Sequence, residues 1–284
     1  MDGSGTVVLG AGIAGNVSVL LIIKKTQALH TAQNYLLANL AAADITSLLF
    51  CCFPLIPFMT LLSDGVVAGT LLCVFSVSYN VPLTSIVASV FTLTTLAVER
   101  YNAVVRPMQM LQLTRVTVRY AITATWVASF ALNVPLFVHT KYRLKTADCR
   151  QLYSNQGELA HIAVYVIFGF IVPFSVIIFC YSKLVKALYF RSAVMPESNI
   201  PEKELIRQRR QLLKMSITVT LVFGTCVFPA CVTVVLWHFR LVGTSVRAFG
   251  LLLLFISSVV NPFIYAFHSS NYRHAFKSLI KCYL

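Results

Sequence analysis

Charged residues are scarce in this chain. They make up 11% of its 284 residues, against about 25% in ordinary soluble domains, and none lies between Asp64 and Glu99. Hydrophobic residues make up 58% of the chain, and the mean hydropathy is +0.79. So little polar surface cannot cover a fold in water, whereas a helix of about 20 apolar residues crosses the hydrocarbon core of a bilayer. The composition therefore excludes an ordinary soluble domain and predicts an all-α membrane protein.

Motifs of soluble enzymes and nucleic-acid-binding proteins are also missing. The sequence has no glycine-rich phosphate loop, no Cys/His spacing for zinc and no pair of histidines within one apolar run, so we expect no catalytic centre, metal centre or cofactor of these kinds. The net charge of +14 does not indicate nucleic-acid binding, because the basic residues form clusters between the apolar runs. Several of the eight cysteines lie within apolar runs, where they are interpreted as small hydrophobic side chains.

Seven apolar runs are long enough to cross a membrane. We predict spans at about 6–23, 35–62, 70–103, 118–138, 160–188, 208–238 and 244–267. The segment 270–282 is amphipathic and is predicted to lie along the membrane surface as an eighth helix. Together these elements form one seven-helix domain over residues 1–284.

The distribution of basic residues predicts the orientation in the lipid bilayer. Seventeen Lys and Arg residues lie on the side reached after the first, third, fifth and seventh spans, and six lie on the other side. Because positive charge accumulates in cytoplasmic segments, we expect an extracellular N-terminus and a cytosolic C-terminus.

An acid stands in the middle of the predicted second span. An unpaired Asp44 carboxylate at this depth would cost several kcal/mol, so polar partners are expected within the bundle. The candidates are Asn16, Ser89, Ser257, Ser258 and Asn261. The group is either a structural hydrogen-bond network or a site for a small cation or a proton. A secondary transporter or proton-coupled protein would also place an acid here, but the sequence shows no internal repeat of the kind common in transporters.

The spans carry a series of short motifs in a fixed order. These are Gly15-Asn16, NLAAAD ending at Asp44, Ser89 with LTTLAVERY ending at Tyr101, Trp126, the pair Pro173 and Tyr181, FGTCVFP at 223–229 and NPFIY at 261–265. Each is weak alone, but the full ordered set resembles the rhodopsin-like (class A) seven-transmembrane G-protein-coupled receptors over nearly the whole chain. The stretch VERYNAVVRPM looks most like neuropeptide-type receptors.

The resemblance implies a plasma-membrane receptor, rather than an enzyme, that passes an extracellular signal to a heterotrimeric G protein in the cytosol. Its coupling and activation switch would comprise Glu99, Arg100, Tyr101, Tyr181, Asn261, Pro262 and Tyr265. Its packing switch would comprise Val90, Pro173, Phe223, Val227 and Pro229. An allosteric sodium pocket would be lined by Asp44, Ser89, Ser257, Ser258 and Asn261. The resemblance also implies a Cys73–Cys149 disulfide, an inward-packing Phe276 in the eighth helix and a palmitoylation site at Cys282.

Three residues depart from the family pattern. Val227 replaces the tryptophan of the sixth-helix motif, and Arg209 stands where some members carry the acid of a cytoplasmic ionic lock. Val66 replaces the usual tryptophan of the first extracellular loop. Without that lock, Glu99 would hold Arg100 at rest largely alone, so we expect elevated basal activity.

The spacing between two residues at the third helix also departs from the family pattern. Cys73 and Arg100 are 27 positions apart, two more than is usual in the family, which predicts a bulge near Pro82 or an altered cysteine position.

The ligand class is narrowed by two further absences. The amine-binding position of the third helix falls on Asn80 or Pro82, neither of them acidic, which argues against a monoamine receptor. No lysine lies between Val246 and Asn261, which argues against an opsin. Basic residues in the extracellular loops either attract an acidic ligand or a peptide carboxylate, or simply lie at the membrane boundary. We expect a peptide ligand, with a lipid or another small chemosensory ligand as the alternative.

Overall fold

The computed structural model describes residues 3–52, 69–71, 73–106, 112–143, 148–152, 154–191, 200–269 and 272–276, and seven long helices run through these segments. Six of them are α1 Gly3–Lys25, α2 Ala32–Cys52, α3 Asn80–Val105, α4 Thr117–His139, α6 Ile200–His238 and α7 Thr244–His268. The fifth, α5, consists of Asn155–Val166, a π turn at Ile167–Ile171, Val172–Val185 and a second π turn at Lys186–Arg191. A 3₁₀ turn, Gln27–Leu29, connects α1 to α2.

The helices have the length and composition of membrane spans. Six helical segments in the described part of the chain are long and apolar enough to cross a bilayer. The remaining helix is α2, which carries Asp44 and whose described part has 21 residues ending at Cys52. Residues 53–62 of the predicted second span lie outside the described residues, as does Val66. The predicted all-α, seven-helix architecture is confirmed.

α3 begins later than predicted, because the chain is interrupted before it. A π turn at Cys73–Val77 precedes the helix, and Tyr79 adopts a left-handed conformation with φ of 59°. Pro82 then lies in the first turn of α3, where a missing N–H removes no helical hydrogen bond. The bulge predicted near Pro82 therefore lies before it, between Cys73 and Tyr79.

α5 and α6 both begin earlier than the apolar pattern indicates. The Ser154 hydroxyl accepts a hydrogen bond from the Gly157 N–H at 3.1 Å, which caps α5 at Asn155 instead of near residue 160. α6 has 39 residues, or about 58 Å at 1.5 Å per residue. That length exceeds the hydrocarbon core of about 30 Å, so the polar start of α6 extends beyond the membrane.

A short hairpin adds two strands to the helical fold. β1 Thr140–Arg143 pairs with β2 Asp148–Gln151 in an antiparallel sheet that places Tyr142 opposite Cys149. The sequence analysis did not predict these strands, because four residues are too few for a clear alternation of polar and apolar side chains.

α3 lies at the centre of the bundle. It packs against α2, α4 and α5, while α7 packs against α6, α1 and α2. Gly15 allows the close approach of α1 to α7, since a Cβ there would lie 3.1 Å from the Pro262 ring. This arrangement brings the polar residues of α1, α2, α3 and α7 to one interior region.

Only part of the predicted eighth helix is described. Residues 272–276 are helical, Tyr272 is buried, and the half-buried Phe276 packs against the core. The rest of the predicted segment 270–282, including Cys282, lies outside the described residues.

Candidate functional site

Glu99 and Arg100 form an ion pair near the C-terminal end of α3. The Arg100 Nε donates to Glu99 Oε2 at 2.6 Å, and the two side chains are only 17% and 9% exposed. A partly buried pair of this kind is less screened by solvent than a surface pair. Its geometry holds the guanidinium against its own helix.

The tyrosine on α5 lies near this pair but bonds elsewhere. Tyr181 is buried, and its hydroxyl lies 3.3 Å from Thr220 Oγ1 on α6. It also interacts electrostatically with Arg100. Tyr101 also contacts α5, with its ring 6.0 Å from that of Phe179.

The start of α6 is attached to its neighbours through backbone carbonyls. Arg210 donates to the Leu188 carbonyl of α5 from Nε at 3.2 Å and from an Nη at 2.7 Å. The Gln211 side-chain amide donates to the His268 carbonyl of α7 at 2.8 Å. The Arg209 side chain, which the lock hypothesis concerned, lies outside the described part.

Tyr265 is the last residue of the NPFIY motif and is fully buried. Its ring lies 5.7 Å from that of Tyr272, and its hydroxyl has no hydrogen-bond partner in the described part of the chain. The Tyr272 hydroxyl donates to Asn34 Oδ1 at 3.2 Å at the start of α2. Burial raises the pKa of Tyr272, so its hydroxyl stays protonated and can donate.

Asp44 lies in a polar network that joins three helices. Asn261 Nδ2 donates to Asp44 Oδ2 at 2.7 Å, and Ser258 interacts with the same carboxylate. Asn16 Nδ2 donates to the carbonyls of Ser258 and Gly12, both at 2.9 Å. The structure therefore brings Asp44 together with three of its five predicted partners.

The remaining predicted partners are less directly engaged. Ser89 is buried on α3, and Ser257 donates to the Leu254 carbonyl at 2.6 Å. Four buried oxygen atoms around the network have no hydrogen-bond partner among the described residues: Asn16 Oδ1, Asp44 Oδ1, Ser47 Oγ and Asn261 Oδ1. Buried polar atoms rarely stay unpaired, and hard cations prefer oxygen ligands. The oxygen-rich set fits a small hard cation such as Na⁺.

A second network, one turn away on α2, has no unpaired atoms. The Trp126 indole of α4 donates to Asn39 Oδ1 at 2.9 Å, and Asn39 Nδ2 donates to Thr92 Oγ1 of α3 at 2.8 Å. Thr92 in turn donates to the Ala88 carbonyl at 2.6 Å. This chain of hydrogen bonds connects α2, α3 and α4 and serves a structural role.

The predicted packing-switch residues lie on α3, α5 and α6. Val90, Phe223 and Val227 are almost fully buried, Pro173 is buried in the first turn of Val172–Val185, and Pro229 lies inside α6. Gly224 also approaches α5, since a Cβ there would lie 3.1 Å from the Phe174 ring. The contact between α5 and α6 at this level therefore depends on a small residue.

At the other end of α3, Cys73 and Cys149 form the disulfide implied by the resemblance, with Cα atoms 5.4 Å apart. It joins the π turn before α3 to strand β2. Asn80, fully buried, donates to the Val74 carbonyl at 3.0 Å and to Thr140 Oγ1 at 3.1 Å. Asn80 thus connects the π turn to β1, the strand that pairs with the disulfide-bonded β2.

The outer ends of α5, α6 and α7 are joined by charged and aromatic side chains. His238 Nδ1 lies 3.4 Å from Glu158 Oε1, and the Arg247 guanidinium lies 5.0 Å from the centre of the Trp237 ring. Glu158, Trp237, His238, Arg240 and Val242 line a cavity of about 670 Å³ there. The lining of this cavity is largely polar and charged.

The sequence profile of the "7 transmembrane receptor (rhodopsin family)" matches residues 15–265. The match spans the Asp44 network, the Glu99–Arg100 pair and Tyr265. This chain belongs to the rhodopsin family of seven-transmembrane receptors.

Three curated relatives illustrate where in the rhodopsin family the similarity falls. A QRFP-like peptide receptor of Branchiostoma floridae is 26% identical, over 96% of this chain and 75% of its own length. The human KiSS-1 receptor is 29% identical, over 95% and 72% of the two chains. Neuropeptide FF receptor 2 of Rattus norvegicus is 28% identical, over 93% and 68%.

Membership of the rhodopsin family makes the chain a multi-pass G-protein-coupled receptor and rules out the transporter alternative. The residues that sequence reasoning missed in this receptor are chiefly Arg210, Gln211 and Asn80. All three donate to backbone carbonyls, which leave no trace in the sequence. Asn80 could have been noticed in the sequence, because it is a polar residue within an apolar run.

Proposed function

We propose that this receptor binds an extracellular peptide and transmits the signal to a heterotrimeric G protein. The observation that carries the proposal is the partly buried Glu99–Arg100 pair at the end of α3, close to Tyr181 of α5, which in turn contacts Thr220 of α6. The peptide assignment rests on the relatives, of which one is named as a peptide receptor and another as a neuropeptide receptor. The whole chain would act as one receptor domain in the plasma membrane.

The proposed orientation has an extracellular N-terminus and a cytosolic C-terminus. The excess of Lys and Arg on one side supports it. The Cys73–Cys149 disulfide also supports it, because disulfides persist on the oxidising, extracellular side. Glu99, Arg100 and the start of α6 then face the cytosol, where a G protein binds.

In the proposed resting state, Arg100 is held by Glu99, and Tyr181 by Thr220. Activation would move α6 outward, and Arg100 would leave Glu99 and extend toward the G protein. Tyr181 and Tyr265 would then meet the extended guanidinium. The Tyr265 hydroxyl supports this role, since it is a buried donor without a hydrogen-bond partner among the described residues, and a rearrangement that supplied a partner would be favourable.

The effect of ligand binding would be transmitted to Arg100 through the interior of the bundle. A peptide bound at the mouth would change the packing of Val90, Pro173 and Phe223 and then the Asp44 region. Asp44, Ser89, Ser257, Ser258 and Asn261 would hold Na⁺ in the resting state. A bound Na⁺ would supply positive charge that balances the buried carboxylate.

The proposal is tested in cells that express the receptor with a promiscuous G-protein reporter and are screened with pools of peptides, lipids and amines. We expect a peptide pool to stimulate nucleotide exchange. Arg100→Ala should abolish the response while surface expression persists. Arg119→Ala, which removes an exposed arginine at the start of α4, is the matched control and should respond normally.

Two results would count against this assignment. A response to lipid or amine pools alone would overturn the peptide assignment but leave the receptor function. A full response from Arg100→Ala would overturn the proposed switch.

A further inference from the structure

Within the membrane, α5 and α6 approach each other closely at Phe174 and Gly224 but pack together over only part of their length. Between them lies a groove of about 1200 Å³, lined almost entirely by apolar side chains such as Phe170, Phe174, Ile177 and Phe228. The Val172–Val185 part of α5 packs on α3, and α6 packs mainly on α7. Apolar packing therefore contributes little to holding α6 against α5, and the polar contacts between these helices gain importance.

Besides the His238–Glu158 contact at the opposite end of α6, two polar contacts join α5 and α6 in the described part of the chain. Tyr181 and Thr220 meet at 3.3 Å within the membrane, which is a long distance for a hydroxyl–hydroxyl hydrogen bond. The stronger contact lies near the start of α6, where Arg210 donates two hydrogen bonds to the Leu188 carbonyl. A charged donor makes bonds of about twice the strength of neutral ones.

The same turn of α6 is attached to α7. Gln211 donates to the His268 carbonyl at 2.8 Å, and His268 is the last residue of α7. Thr218, about two turns later on α6, lies 3.4 Å from His268 Nε2. Adjacent residues Arg210 and Gln211 thus connect the start of α6 to the ends of two different helices.

Both acceptors are carbonyls at helix ends. His268 is at the end of α7, and Leu188 lies in the π turn that closes α5. Carbonyls in a final turn lack partners within the helix and carry the negative end of its dipole. They are therefore strong acceptors for the Arg210 guanidinium and the Gln211 amide.

We propose that Arg210 and Gln211 are positioning residues that hold α6 in the resting state by bonding to the ends of α5 and α7. In the chain they directly follow Arg209, which stands where some members of the family carry the acid of a cytoplasmic ionic lock. Outward movement of α6 breaks these hydrogen bonds before Arg100 can reach the G protein. The inference rests on the proposed G-protein coupling and adds the restraint that sets its basal level.

The test measures basal nucleotide exchange, without any ligand, in membranes that hold equal amounts of receptor at the surface. Gln211→Glu keeps the size of the side chain but removes the donor, because a carboxylate only accepts. It should raise basal exchange about fivefold, the factor for one net hydrogen bond. Arg210→Lys keeps the charge but loses the fork of donors and should raise basal exchange by a similar factor.

Lys214→Ala is the matched control. It removes a positive charge from the same helix at an exposed position, and it should leave basal exchange unchanged. An increase in Lys214→Ala equal to that in Arg210→Lys would mean that any change on this part of α6 raises basal exchange, with no specific contribution from the Arg210 hydrogen bonds, and would overturn the proposal.

A second readout separates positioning from simple loss of stability. The thermal stability of detergent-purified Gln211→Glu should fall by only a few degrees while its basal exchange rises. If Gln211→Glu and Arg210→Lys both show the same basal exchange as the unmodified receptor, the proposal is overturned. This holds even if Arg100→Ala lowers exchange and so supports G-protein coupling. If neither the variants nor the unmodified receptor couples to a G protein in the ligand screen, the proposed function itself is overturned.

Discussion

Asn261 on α7 donates a 2.7 Å hydrogen bond to Asp44 on α2, although the two residues are 217 positions apart in the chain. The other oxygen of the carboxylate has no hydrogen-bond partner among the described residues, and neither has the side-chain oxygen of Asn261. Asn261 and Ser258 of α7 therefore both bond the carboxylate on α2, while these two oxygens remain available to a cation. The contact is suited to change when a cation enters or leaves.

Sodium should stabilise the receptor through this group of oxygens. Asp44→Asn removes the negative charge that attracts the ion, so replacing K⁺ with Na⁺ should no longer raise the thermal stability of the purified receptor. Ser47→Ala, which removes one unpaired hydroxyl, should shift the half-maximal Na⁺ concentration upward. The measurement is a thermal unfolding curve at constant ionic strength over a series of Na⁺/K⁺ ratios.

A control for the sodium experiment is available on α1. Ser18→Ala also removes a hydroxyl, but that hydroxyl is exposed and donates to the Ala14 carbonyl. It should keep the Na⁺ response of the unmodified receptor. An unmodified receptor whose stability is the same in Na⁺ and K⁺ would contradict the assignment of the pocket.

Neutralising Glu99 should activate the receptor without a ligand. Glu99→Gln keeps the shape of the side chain but weakens its bond to Arg100. Because hydrogen bonds between charged groups are worth about 1.5–3 kcal/mol, the equilibrium should shift toward the active state by about tenfold or more. Basal nucleotide exchange at equal surface expression measures the shift.

The Glu99 effect must depend on Arg100. The double variant Glu99→Gln/Arg100→Ala should show no elevated exchange, because the group that reaches the G protein is gone. Elevated exchange in the double variant would indicate that Glu99 acts by some route other than Arg100.

Tyr272 should contribute in two separable ways to the packing beyond the end of α7. Tyr272→Phe keeps the ring beside Tyr265 and loses only the hydrogen bond to Asn34, which is worth about 1 kcal/mol. Tyr272→Ala also creates a cavity, at a cost of about 3–5 kcal/mol for a buried aromatic residue. Thermal unfolding should therefore rank the unmodified receptor above Tyr272→Phe and well above Tyr272→Ala, and equal losses in the two variants would contradict this division.

The sequence predicted those parts of the receptor in which polar residues stand out against an apolar background. Asn261 could be named in advance as one of five candidate partners of Asp44, because a polar residue is expensive in lipid and few such residues were available. Arg210 could not be assigned, since it is one of several cations near the start of α6 and its acceptor is a backbone carbonyl that every residue carries. For a related reason, the sequence did not predict that the bulge lies at Cys73–Tyr79 rather than near Pro82. Proline predicts where a helix is perturbed, but at the third position of a helix it perturbs nothing.

The position of that bulge leads to a prediction about Asn80. Asn80→Ala leaves the carbonyl of Val74 and the hydroxyl of Thr140 without their buried donor, at a cost of about 1–3 kcal/mol. The melting temperature should fall by on the order of 5 °C, while the fraction that reaches the cell surface keeps its ligand affinity, because the Asn80 amide faces protein. Pro82→Ala, two residues away in the same turn, should leave both quantities unchanged, since the first turn of α3 needs no N–H at that position. A loss of ligand affinity in Asn80→Ala at unchanged melting temperature would mean that this position contacts the ligand directly, as the corresponding position does in amine receptors.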